Sequence, residues 1–133
     1  MVYETIEFNY TPYRYSLQFQ HRITLVGGDS GSGKTFLFKA LSDARYLGKY
    51  KKLKLLDYCT EDFIERLTES RDRFIVIDNA DTLLNDDARN FINYEKSNQY
   101  LLFLRNCDGL AVSRTSFKVL QECNNEICLI GEF

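Results

Sequence analysis

Large apolar and polar side chains alternate with a period of two along Tyr13-Arg14-Tyr15-Ser16-Leu17-Gln18-Phe19, the spacing of a half-buried strand. With the aromatic-rich stretch before Thr11-Pro12, it predicts a hairpin or edge ribbon over residues 2–19. Residues 22–26 are β-branched and apolar, stop at Gly27-Gly28, and give way to residues 35–41, whose apolar positions recur at helical spacing. Strand, glycine loop and helix therefore follow one another. Further along, strands are expected at 52–56, 73–78, 100–104 and 126–130. Helices are expected at 60–70, with Thr60 as N-cap, and at 81–96, while 106–125 fits neither period. This alternation predicts an α/β fold: one domain over 1–133, a mostly parallel sheet with helices on both faces, and the N-terminal ribbon at its edge.

Composition narrows the field only modestly. A chain of 133 residues that is 44% hydrophobic and 27% charged has enough apolar surface for one core. Its net charge of -2 offers no general attraction to nucleic acid or to an anionic membrane. Cys59, Cys107, Cys123 and Cys128 form no C-x-x-C pair, and His21 has no ligand-spaced neighbour, so buried free thiols and a structural histidine are expected. No apolar run approaches a membrane span and no leader-like segment opens the chain, which implies a cytoplasmic protein.

The richest chemistry lies in Gly28-Asp29-Ser30-Gly31-Ser32-Gly33-Lys34-Thr35, which satisfies G-x-x-x-x-G-K-[ST] between a predicted strand and a predicted helix. A loop that turns its N–H groups inward around a phosphate needs backbone angles that side chains obstruct, hence the glycines and serines. The helix that follows contributes its positive end. Lys34 is suited to reach the β and γ phosphates, and the Thr35 hydroxyl to coordinate magnesium. Residues 28–36, with Phe36 closing the set, are the expected nucleotide contacts. Through this Walker A motif the chain resembles the P-loop NTPase superfamily over its domain core.

Phe74-Ile75-Val76-Ile77-Asp78 is similar to a Walker B motif, four apolar residues that deliver an acid to a strand's carboxyl end. The resemblance implies that Asp78 holds magnesium beside Thr35. ATPases of the additional-strand division commonly place a catalytic glutamate next, where this chain has Asn79, and an amide takes no proton from water. Asp81 is left as either the base or a helix N-cap. If the chain follows that division, strand 100–104 lies between strands 23–26 and 74–77. Arg105-Asn106 follow strand 100–104, where related ATPases often carry a polar sensor of the γ phosphate, though these two and Arg114 also read as ordinary surface or loop residues, an exposed Arg being alternatively a finger for a neighbouring subunit.

Two weaker signals remain. Arg45, Lys49, Lys51, Lys52 and Lys54, interleaved with Tyr46 and Tyr50, have the composition of a phosphate- or nucleic-acid-facing patch or of a solvated loop rim. Tyr3, Phe8, Tyr10, Tyr13 and Tyr15 form either core or an exposed surface for a partner or for adenine. The resemblance is nearest to ABC-type and AAA-type ATPases, but no L-S-G-G-Q-like signature occurs and no helical lid follows the core. A minimal Mg-ATP-dependent ATPase or switch is implied, completed by itself or by a partner. The alternatives are a nucleotide-binding regulatory module without useful turnover and a small phosphotransferase. Absence of an N-K-x-D motif disfavours GTP.

Overall fold

Three runs of the chain are apolar on both sides of the backbone, and they occupy the middle of the sheet: β3 (Ile23–Val26), β5 (Phe74–Ile77) and β6 (Gln99–Phe103). Every residue in them is buried, as in strands covered on both faces. The computed structural model describes residues 1–28 and 33–131. The other strands are β1 (Thr5–Tyr10), β2 (Tyr13–Gln18), β4 (Leu53–Leu56), β7 (Phe117–Cys123) and β8 (Glu126–Gly131). Helices α1 (Lys34–Tyr46), α2 (Phe63–Thr68), α3 (Ala80–Leu83) and α4 (Asp86–Tyr94) connect them. The strand order is β1-β2-β8-β7-β3-β6-β5-β4.

This order corrects the expected fold. The sheet is mixed and eight-stranded, with antiparallel β1–β2 and β7–β8 pairs joined to parallel ones, so it is not the mostly parallel P-loop α/β sheet the element pattern predicts. Among the described residues, those in strands (33%) outnumber those in helices (28%). The physical cause is the aromatic hairpin. Ile6, Phe8, Tyr15 and Leu17 give β1 and β2 one fully apolar face, which is buried together with Leu37, Leu41 and Ala44 of α1. The sheet curls to bring them there, until Tyr50, just before the last strand in the order, exchanges hydrogen bonds with the backbone of Glu7 in the first: its hydroxyl accepts from the Glu7 N–H (2.7 Å) and donates to the Glu7 carbonyl (2.9 Å). Within the parallel block the local order is that of the additional-strand arrangement, because β6 is hydrogen-bonded to β3 on one side and β5 on the other.

Local differences have local causes. Thr60 caps no helix; its hydroxyl accepts the N–H of Asp57, and α2 starts later, at Phe63, after Asp62 in left-handed backbone. The expected helix over 81–96 is two helices, because Asn85 takes extended backbone and accepts the Ala88 N–H at 2.8 Å, starting α4 afresh. The stretch 106–125 holds β7, whose partial exposure blurs its period. The expectation of buried cysteines is also corrected: Cys59 and Cys123 are exposed, and Cys107 and Cys128 half-buried. No helix among the described residues is long and apolar enough to cross a membrane.

A second core lies on the face of the sheet away from the hairpin, where Leu67, Ala80, Leu84, Ala88 and Ile92 of α2, α3 and α4 meet Leu25, Ile75, Ile77 and Leu102. At the end of the sheet opposite the glycine loop, buried Asn98 accepts the Arg73 N–H (3.0 Å) and donates to the Ser70 carbonyl (2.9 Å) and the Tyr100 hydroxyl (3.2 Å). Replacing it strands those partners without water. Asn98→Ala is expected to cost about 3 kcal/mol in urea denaturation at unchanged slope.

Candidate functional site

The carboxyl ends of β3, β5 and β6 converge, and polar side chains collect there because the buried strands admit few. From β3 the chain turns at Gly28 with φ of 110° and re-enters helix through Gly33 at φ of 90°, angles that favour glycine at both ends of the loop. Asp29, Ser30, Gly31 and Ser32 lie outside the described residues. The Leu37 N–H donates to the Gly33 carbonyl at 2.9 Å, so α1 starts at Lys34, and its first turn carries no acid to offset the positive helix end. Lys34 Nζ donates to the Gly28 carbonyl at 2.6 Å and so spans the mouth of the loop.

Asp78 follows β5 directly, anchored by its own N–H to the Leu56 carbonyl and by the Asn79 N–H donating to Oδ1 at 2.9 Å. Together with Lys34, Thr35, Asp81 and Arg105 it lines a cleft of about 340 Å³. The structure therefore brings Lys34, Thr35, Asp78 and Asp81 into one place, although 78 - 34 = 44 positions separate the two motifs in the chain. Burial pushes the Asp78 carboxyl above the ordinary aspartate range, with Asp57 adding to the effect and the Asn79 N–H and Lys34 opposing it. Thr35 and Asp78 fit magnesium, which takes one or two protein oxygens and fills its shell with water and phosphate.

Asn79 sits in left-handed backbone (φ 52°) at the head of α3, a conformation asparagine tolerates better than glutamate. The capping alternative for Asp81 is thereby corrected: Asn79 holds the N-cap position, and Asp81 lies inside the helix. Its carboxylate instead accepts the N–H groups of Arg105 (2.7 Å) and Asn106 (3.0 Å), tying the turn after β6 to α3. Arg105 borders the cleft. Arg114 lies apart in a short 3₁₀ turn, and His21 meets the Thr115 hydroxyl at 2.9 Å. Asp57 is a neighbour of Asp78 that no motif marks, yet Leu53-Lys54-Leu55-Leu56-Asp57 repeats the strand-then-acid pattern of β5.

A second groove, about 310 Å³, opens on the other side of Gly33 between Phe36, Tyr13, Leu120 and Ile127. Tyr10 and Tyr13 meet the Phe36 ring edge-on at 5.5 and 6.0 Å, leaving Phe36 42% exposed. Of the N-terminal aromatics, Phe8 and Tyr15 stack at 5.0 Å inside the core and present no partner surface, and Tyr3 packs beside Phe74. Aromatic walls therefore reach the loop from β2 and α1.

Because its pKa is raised, Asp78 holds its proton more tightly in the folded chain than in the unfolded one. Ionised Asp78 therefore costs stability at neutral pH, and the cost fades as pH falls through its titration. Asp78→Asn is expected to melt slightly above wild type at pH 7 without nucleotide, with the gap closing in acid, as scanning calorimetry across pH will read. No protein-family model, no curated protein and no solved structure matches the chain, so the reading of this cleft rests on its own residues.

Proposed function

We propose that the chain binds Mg-ATP at the glycine loop and hydrolyses it slowly, as a minimal ATPase or ATP-dependent switch. The observation that carries this reading is the convergence of Lys34, Thr35 and Asp78 on one cleft at the carboxyl ends of parallel strands. Lys34 exchanges the Gly28 carbonyl for phosphate oxygens, and the first turn of α1 adds its unopposed N–H groups. Thr35 and Asp78 would hold magnesium, which supplies charge neutralisation to the phosphates. Binding that cation also removes the penalty of an ionised, half-buried Asp78. The groove beside Phe36 and Tyr13 offers aromatic faces to a base.

Chemistry is slower than binding because the two carboxylates that line the cleft have other tasks, Asp78 beside the cation and Asp81 on backbone N–H groups. Asn79 is an amide, and both oxygens of Asp81 already accept backbone N–H groups, which makes Asp81 a positioning residue for the Arg105 turn. Asn79 also favours the second reading, a binding module that switches on nucleotide occupancy without useful turnover.

Titration calorimetry tests binding: Lys34→Ala is expected to weaken Mg-ATP at least about 100-fold, and unchanged affinity would end the proposal. Turnover is expected to fall about 10²- to 10⁴-fold short of an ATPase with a positioned base. Asn79→Glu is expected to destabilise the fold by about 1 kcal/mol or more, from the left-handed backbone, and to restore little activity. Asp81→Asn keeps one acceptor oxygen of two, so turnover should drop several-fold at nearly constant affinity, with the shape of the pH–rate profile retained. A profile that loses its acid limb would instead make Asp81 the base.

A further inference from the structure

At the far end of α1 from Lys34 lies a polar cleft of about 500 Å³ that shares no residue with the nucleotide site. Arg45 and Tyr46 from the last turn of α1, Lys54 from β4, Arg66 from α2, and Arg73 at the start of β5 line it, and among the described residues no carboxylate does. Only part of the basic run seen in the sequence is here; the structure adds Arg66 and Arg73 from elsewhere in the chain.

The four cations are not equivalent. Lys54 is committed to the fold: its ammonium donates to the Arg66 carbonyl and the Ser70 hydroxyl at 2.7 Å and pairs with Glu69 at 3.6 Å. Burial holds it below the usual lysine range against the opposing pull of Glu69, with the charges of Arg66 and Arg73, which line the same cleft, adding to the lowering. Arg45 and Arg66 each spend only Nε on the protein, on the Leu53 carbonyl (2.7 Å) and the Glu61 carbonyl (3.2 Å). Their terminal nitrogens, and the whole Arg73 guanidinium, have no partner among the described residues. Three exposed guanidinium forks around one cleft match phosphate oxygens, which accept such forks two bonds at a time. Tyr46 stands at the rim with its ring 87% exposed, a π-face with nothing on it.

We propose that this cleft binds single-stranded nucleic acid, with Arg45, Arg66 and Arg73 on the phosphodiester backbone and Tyr46 stacking on a base. An acidic peptide added as a strand to the edge of β4 fits less well, because Arg45 already occupies the Leu53 carbonyl that such a strand needs. A free phosphate would leave the tyrosine unused. The overall charge of -2 does not oppose the site, since binding is set by the local cluster and screened beyond about 10 Å.

Fluorescence anisotropy with labelled twelve-nucleotide dT and U oligomers, over a salt series, tests the proposal. Affinity should rise steeply as salt falls, and Arg66→Ala with Arg73→Ala should weaken binding at least tenfold while reducing the log–log salt slope by about 1.4, near 0.7 for each phosphate that is no longer neutralised. Tyr46→Ala should weaken binding about tenfold at unchanged salt slope. Circular dichroism melting shows that each variant is folded, and the exposure of Tyr46 keeps that arm decisive if the double variant melts early. Folded variants that bind as wild type does would overturn the assignment. So would displacement of the oligomer by polyglutamate or inorganic phosphate at equal charge, which would give the cleft to an acidic peptide or a free anion.

Discussion

Burial on both faces of β3, β5 and β6 is the constraint from which the molecule's other features follow. Strands so covered have little room for polar side chains along their length, so the chain's polar chemistry gathers where they end. The ends at Val26, Ile77 and Phe103 bring the glycine loop, Asp78 and the Arg105 turn to one edge of the sheet. Each strand end is also a helix start or a tight turn, and the backbone angles there decide which side chains are tolerated. Glycine at 28 and 33 and asparagine at 79 all sit at positive φ, and all border the cleft or its loop.

The hairpin answers a different demand. A 133-residue chain with ten phenylalanines and nine tyrosines carries more aromatic surface than a small parallel sheet buries, and the first two strands place much of it against α1. Curling the sheet around that helix encloses Leu37, Leu41 and Ala44 and fixes the direction in which α1 points. One end of the helix therefore faces the glycine loop, and the other presents Arg45 and Tyr46 to the basic cleft. A single helix of 13 residues separates the two sites by about 20 Å.

Electrostatic tension is concentrated at the cleft. Asp78 is ionised at a cost, beside Asp57 and only partly offset by Lys34, while Lys34 rests on a backbone carbonyl. Under the proposed Mg-ATP reading both groups would gain together, since a cation would relieve the carboxylate and phosphates would satisfy the ammonium.

Local signals determined much of this protein. The central strands, the glycines at 28 and 33, the start of α1 and the acid at position 78 are all readable from the chain, because each depends on a period, a turn residue or a motif within about ten positions. The helix expected over 81–96 divides because one extended residue, Asn85, breaks an otherwise continuous period. What the chain could not disclose is pairing. The parallel contact between β2 and β8 joins Arg14 to Glu126, 126 - 14 = 112 positions away, and it ties the antiparallel β1–β2 and β7–β8 pairs into the parallel block, making the sheet mixed. Such pairings follow from which apolar faces find cover. The same holds for Asp81, whose carboxylate meets backbone 24 and 25 positions away, and for Arg66 and Arg73, which join Arg45 only when the sheet forms. Sequence spacing records what a residue is beside along the chain; the packing of two apolar faces decides what it is beside in space.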